Sequence, residues 1–226
     1  MAADRSRVIG LVGGLGVGAA VHYYRELAAA EERRGHTLEL AMVHAQMSRV
    51  FEHASTGNLT ALAGYLAGVL GRLKAAGATV AVIPAVTPHI CIDQLTPLAP
   101  LPIVNLIDVL AAELTAKAIT RVALFGTRFV VESDLFGRFP TISFARPRPD
   151  EITFIHDTYT QLARTGSATE SQYRQLVDLA HTLGRRDGAE LIVMAGTDLS
   201  LLFNESNTPF PHLDCAAVHI QAIMRS

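Results

Sequence analysis

Gly77-Ala78-Thr79-Val80-Ala81-Val82-Ile83-Pro84-Ala85-Val86-Thr87-Pro88-His89 is the stretch that decides the fold, and Gly188-Ala189-Glu190-Leu191-Ile192-Val193-Met194-Ala195-Gly196-Thr197-Asp198 is its second copy. Each opens on Gly-Ala, runs through aliphatic and β-branched residues, and ends in a small-residue turn carrying a threonine. A short continuous apolar run bounded by turn residues is the pattern of a parallel strand covered on both faces. Such strands empty at their carboxyl ends into the loops where open α/β sheets bind ligands. Each turn is therefore a candidate wall of a site.

A second pair lies outside the first. Arg7-Val8-Ile9-Gly10-Leu11-Val12-Gly13 resembles Arg121-Val122-Ala123-Leu124-Phe125-Gly126; the step from Arg7 to Arg121 is 114 residues and that from Gly77 to Gly188 is 111. Two independent pairs at nearly one spacing indicate a duplicated α/β unit. The expected architecture is two pseudo-symmetric three-layer α/β halves, Rossmann-like with parallel sheets, and the active site in the cleft between them. The expected division is residues 1–117 plus 213–226 for the first half and 118–212 for the second. No linker is long enough to separate independent modules, so the halves should share that cleft.

In the first half, strands are expected at 7–12, 38–44, 79–83 and 101–106, with helices at 19–33, 59–76, 90–95 and 107–117. Asn58 should cap the second helix, and 53–57 reads as a polar loop at the carboxyl end of the sheet. The second half should carry strands from 121 and at 141–144 and 191–195. Its helices are expected at 130–136, 150–164 and 171–186, and a terminal helix at 215–224 lies in the segment that returns to the first half.

With 50% hydrophobic and 18% charged residues among 226, the chain is too apolar to stay disordered. No apolar run reaches the roughly 18 residues of a membrane span, and the opening Met-Ala-Ala-Asp-Arg-Ser-Arg runs into a strand instead of a signal-peptide core. A soluble cytoplasmic protein is expected. A formal net charge of −2 and no Lys/Arg run longer than two speak against nucleic acid as a partner. Cys91 and Cys215, the two cysteines, form no C-x-x-C, and the nine histidines show no ligand spacing, so neither a disulfide framework nor a metal is called for.

Gly13-Gly14-Leu15-Gly16-Val17-Gly18 turns the first strand into a helix, and such a turn aims backbone N–H groups at an anion above the sheet. A dinucleotide fingerprint would place its last glycine where Ala19 stands. The next strand ends in His44-Ala45-Gln46 with no acid for a ribose, so the match is partial.

Ile9-Gly10-Leu11-Val12-Gly13-Gly14-Leu15-Gly16, followed by Tyr23-Tyr24-Arg25, resembles the opening of the cofactor-independent aspartate/glutamate racemases. Pro84-Ala85-Val86-Thr87-Pro88-His89 stands where that family has Pro-Cys-Asn-Thr-Ala-His, and Ala195-Gly196-Thr197-Asp198-Leu199 where it has Gly-Cys-Thr-Glu-Leu. Pro211, Asp214 and His219 match its late P-x-x-D-x-x-x-x-H pattern. The likeness covers nearly the whole chain. It implies facing α/β halves, one catalytic cysteine from each, a small-molecule substrate, no cofactor and a homodimer.

Eight residues on from each Gly-Ala lie Ala85 and Gly196, the positions the resemblance assigns to the two thiols. Racemising an α-carbon needs a base on one face and an acid on the other, and neither residue has an exchangeable side-chain proton. Two-thiol racemisation is therefore not expected. Val86 replaces the family's asparagine, and Ser167-Ala168-Thr169 holds no counterpart of the lysine often found near Gly166, which makes a two-carboxylate substrate less assured.

The expected binding shell is Gly13, Gly14, Thr87 and Thr197 around walls of Ala85, Val86 and Gly196. Ser48 and Arg49 sit at the end of the second strand, with Arg49 suited to a substrate carboxylate. Proton carriers are sought in His89 and Asp198, and in His219 through its family match. His89 reads equally as a structural cap, Asp198 more readily as an orienter or helix cap, and Cys91 as a packed core thiol. The leading expectation is a divergent acid/base isomerase, lyase or cyclase acting on a small carboxylate or carbonyl compound. The alternatives are a non-catalytic ligand-binding or scaffold protein on the same fold, and an amino-acid racemase with substitute bases.

Overall fold

The computed structural model describes residues 7–137 and 139–226. It holds two parallel sheets. In the first, β1 (Ile9–Gly13) lies between β2 (Leu40–His44) and β3 (Val80–Val82). In the second, β4 (Arg121–Phe125) lies between β5 (Ser143–Phe144) and β6 (Leu191–Met194), and β7 (His212–Asp214) pairs with β6. The four-stranded order of the second sheet recurs in the first. There the expected strand at 101–106 is reduced to one bridge, Ala81 to Ile103. The cause is local: Pro102 has no N–H, so it accepts from Ala81 (2.8 Å) and donates nothing to the ladder.

Helices cover both sheets. In the first half they are α1 (Val17–Arg33), α2 (Met47–Ser55), α3 (Leu59–Ala75), α4 (Ile92–Leu95) and α5 (Leu106–Ala116). In the second they are α6 (Arg128–Glu132), α7 (Pro149–Thr165) and α8 (Glu170–Asp187), and α9 (Cys215–Arg225) follows β7. Asn58 caps α3 as expected, accepting from the Ala61 N–H at 3.2 Å. Most of the expected loop at 53–57 is instead the last turn of α2. Val50 and Ala54 are buried and Met47 packs beside them, and this i, i+3, i+7 stripe outweighs the polar residues around it. The helix expected at 130–136 splits at Ser133 into α6 and a 3-10 turn, Asp134–Phe136.

The two helices that follow the fourth-strand positions change partners. Leu106, Ile107, Leu110 and Leu114 of α5 pack with Val122, Leu124, Leu191 and Val193 of the second sheet. Ala216, Ile220, Ile223 and Met224 of α9 pack with Ile9, Leu11, Val80 and Val82 of the first. Leu213 and Asp214 still pair in the second sheet, and the chain crosses at Cys215. Each exchanged helix is capped at its start, α5 by Asn105 (3.0 Å to the Ile107 N–H) and α9 by Asp214 (2.8 Å to the Ala216 N–H). Elsewhere Arg186 of α8 forms a two-pronged pair with Glu151 of α7 (2.6 and 2.9 Å). It holds the Glu151 carboxyl below its ordinary range. Among the described residues no helix is long and apolar enough to cross a membrane.

Candidate active site

The two turns read from the sequence meet. After β3 the chain enters a 3-10 turn at Thr87–Cys91, and after β6 another at Thr197–Leu201. The Thr197 hydroxyl donates to the Pro84 carbonyl at 3.0 Å, across the halves. Beside this contact is a cavity of about 480 Å³ with Ala85, Val86 and Thr87 on one side and Ala195 and Asp198 on the other. Gly14 to Val17, Met47 and Phe51 of the first half, Thr127 and Val130 at the start of α6, and one face of α7 complete it. A larger groove of about 580 Å³, lined by residues of α1, α5 and α9, lies elsewhere. Its charged lining includes Lys117, already paired with Glu113 at 3.3 Å.

Among the described residues Asp198 is the one carboxylate in the cavity wall, and it is almost fully buried. The Ala19 N–H in the first turn of α1 donates to its Oδ1 at 2.9 Å, and the Tyr159 hydroxyl donates to its Oδ2 at 3.1 Å. Gly16, which precedes α1, caps nothing, so the acid that caps this helix comes from the opposite half. A Cβ at Gly16 would lie 2.8 Å from Asp198 Oδ2, and one at Gly18 3.1 Å from Oδ1. The glycine-rich loop thus makes the anion site its sequence suggests, and the protein's own carboxylate fills it. Burial pushes the Asp198 carboxyl above its ordinary range, against the pull of the Tyr159 phenol, the Ala19 and Asp198 amides and nearby His22.

His89 and His219 lie behind the wall. His89 Nδ1–H donates to the Ala85 carbonyl at 2.8 Å, and Nε2 faces the Leu106 N–H at 3.3 Å, which fixes its tautomer and completes the start of α5. His219 is fully buried; Nε2–H donates to the Val104 carbonyl at 2.8 Å and Nδ1 accepts from the Tyr23 hydroxyl at 3.0 Å. Burial, and His89 nearby, bring its pKa down to about 3. Both rings serve as cross-links that hold backbone and helices in place. Neither lines the cavity.

The family model for Asp/Glu/hydantoin racemases matches residues 12–223. The chain belongs to that family. Among solved structures it is similar to an Asp/Glu racemase, so described provisionally, from Yersinia pestis (22% identity, TM-score 0.81, 96% of each chain covered). It is also similar to an aspartate racemase homologue from Pyrococcus horikoshii OT3 (19%, TM-score 0.80, 97% of this chain and 98% of that one). A glutamate racemase from Francisella tularensis subsp. tularensis SCHU S4, solved with D-glutamate, shares the fold at 9% identity and a TM-score of 0.69, covering 98% of this chain and 81% of that one.

Within this racemase-family fold, Gly14, Ala85, Val86, Thr87 and Asp198 line the cavity, as their places in the sequence suggest. The others lie outside its wall. Gly13 is buried in β1, and the Thr197 hydroxyl is engaged with Pro84. Ser48 is exposed on α2, and the Arg49 guanidinium stacks over the Tyr65 ring at 4.4 Å. Gly196 lies under the Tyr159 ring.

Among the described residues the cation, the imidazole and the phenol of the wall are Arg164, His156 and Tyr159, all from α7. Sequence reading missed them; their signal was the spacing of His156, Tyr159, Thr160 and Ala163, which marks one helix face. Cys91 is a packed thiol donating to the Pro88 carbonyl at 3.3 Å, and burial pushes it up to about 12. Burial, then Asp214 and Asp198, likewise push the Cys215 thiol up. Among the described residues no three His, Cys, Asp or Glu side chains are placed to share a metal ion.

Proposed function

We propose that the cavity takes a small carboxylate or carbonyl compound and that Asp198 moves a proton at the carbon beside that group, without a cofactor. The carrying observation is a single buried carboxylate, held above its ordinary pKa, in the wall of a cavity lined mostly by apolar side chains. A base whose pKa is raised toward working pH is suited to take a proton and give it back. In such a step Asp198 accepts the proton from carbon and the electron pair moves into the adjacent carbonyl. Return of the proton to the same carbon gives exchange with retention, and its delivery from Asp198 to the neighbouring carbon of the enediolate or dienolate, on the same face, completes an isomerisation. Arg164 at the rim is the group for a substrate carboxylate, and Thr87 lines the same space.

On the opposite wall Ala85 and Val86 have no exchangeable side-chain proton, and the Thr87 hydroxyl beside them is too weak a base to take a proton from carbon. A one-base isomerase or lyase fits this better than a racemase with substitute bases. Non-catalytic binding is the second reading, favoured by the hydrogen bonds that already occupy both Asp198 oxygens.

The test is deuterium uptake at the α-carbon of a panel of small carboxylic and oxo acids in D2O. Uptake that disappears in Asp198→Asn supports the proposal. Compounds that raise the melting temperature and never exchange support the binding reading. We also propose a cytoplasmic homodimer, for which the exposed stripe Val17, Val21 and Tyr24 on α1 supplies an apolar face. The proposed halves are 1–117 with 213–226, and 118–212; the packing of α9 on the first sheet supports them, whereas α5 on the second sheet and the pairing of Leu213 and Asp214 with β6 run against the bounds at 117 and 213.

A further inference from the structure

Gly196 has no conformational reason to be glycine. Its φ of −147° and ψ of 114° are ordinary extended values that any residue adopts. What excludes a side chain is Tyr159: a Cβ at 196 would lie 2.8 Å from ring carbon Cδ2 and 2.9 Å from Cζ, and closer still to Cε2. Real Cβ atoms do not approach ring carbons that closely. The same ring sends its hydroxyl to Asp198 Oδ2 at 3.1 Å and lines the cavity. The space beside residue 196 is therefore filled from α7, and what fills it is hydrogen-bonded to the one carboxylate of the site.

Resting on the proton-carrying role proposed for Asp198, we propose that Tyr159 is the positioning residue of this site, a phenol that takes the volume of a side chain at 196 and holds Asp198 in place. The ring and any side chain at 196 are mutually exclusive, so Gly196→Cys alone cannot put a thiol there without displacing Tyr159. The phenol itself stays protonated. Burial, then the Asp198 charge and hydrogen bond, push it well above its ordinary range, so it donates to the carboxylate and does not compete with it for protons. The other titratable groups acting on Asp198 are His22 from α1 and Cys215 from α9. Of these, Tyr159 is the one whose side chain is hydrogen-bonded to the carboxylate.

Two readouts test this without turnover. In a thermal cycle, Gly196→Ala should lower the melting temperature by roughly 3–10 °C in the wild-type background, and by much less beside Tyr159→Ala or, if that variant does not fold, Tyr159→Leu. Equal losses in both backgrounds would overturn the volume exchange. In 13C NMR of aspartate-labelled protein, with Asp198 assigned by its absence in Asp198→Asn, Tyr159→Phe keeps the ring and removes the donor. The Asp198 pKa should then rise by about one unit or more. An unmoved pKa would overturn the positioning role. If both readouts hold and no compound exchanges deuterium, Tyr159 positions Asp198 in a binding site, and the proton-transfer reading alone fails.

Discussion

The turn at 85–89 and the turn at 196–200 leave equivalent strands and reach one cavity, yet they are furnished differently. Where the first has Val86, packed among the apolar side chains over the second sheet, the second has Thr197, whose hydroxyl crosses to Pro84. Where the first has Thr87, the second has Asp198. Where the first has His89, bonded to the Leu106 N–H that opens α5, the second has Ser200, donating at 3.0 Å to Asp214, the cap of α9. Both turns are thus tied to the start of an exchanged helix, once by an imidazole and once by a hydroxyl and a carboxylate. The difference teaches that His89 performs a structural task with a counterpart in the other half, whereas Asp198 with Tyr159 has none.

The largest effect should separate the two walls directly. Asp198→Asn should reduce α-carbon exchange by about 10²- to 10⁴-fold, measured by NMR in D2O; an active variant would break the comparison. Next comes His219 on α9, at the place where α5 carries Leu110. Its folded pKa of about 3 lies below the ordinary 6.5, so the unfolded chain takes up a proton first as pH falls. The stabilisation is complete above pH 6.5 and is lost toward pH 3 at about 1.4 kcal/mol per pH unit. Urea titrations from pH 7 to 4 should show this slope, and His219→Gln should remove it.

His89→Ala leaves a buried carbonyl and amide unsatisfied and a void, and should cost about 2–4 kcal/mol in chemical denaturation. Activity per folded molecule should fall far less than in Asp198→Asn. Thr197→Val, which deletes the bond across the halves, should cost about 1–3 kcal/mol. Ser200→Ala should cost about 0.5–1.5 kcal/mol in the same assay. It is the smallest of these because Asp214 keeps its capping bonds.

The repeat was legible because buried parallel strands write continuous apolar strings, and two copies fixed the two sheets and which turns face each other. The return of α9 to the first half matches the expected division, but the move of α5 to the second sheet was not legible, since an apolar stripe states that a helix is buried and not against which sheet. At Asp198 the acid was visible, but its bond to Ala19 comes from 179 residues away and its bond to Tyr159 from 39. Neither contact leaves a local pattern. Histidine misled in the other direction: His89 and His219 carry the right chemistry for proton transfer, and only the full set of partners shows their nitrogens committed to backbone and to Tyr23. The glycine at 196 was readable as a missing side chain, and its replacement by a ring from α7 was not.

The proposal that Asp198 moves protons on its side of the cavity, while the Ala85 side moves none, stands or falls on stereochemistry. Its most direct test follows deuterium uptake and optical configuration together, on separate enantiomers of the small carboxylic acids that bind. Uptake with configuration retained is the expected result, because the proton leaves and returns on the Asp198 side. Inversion keeping pace with exchange would mean that the Ala85 wall delivers a proton after all, and would contradict it.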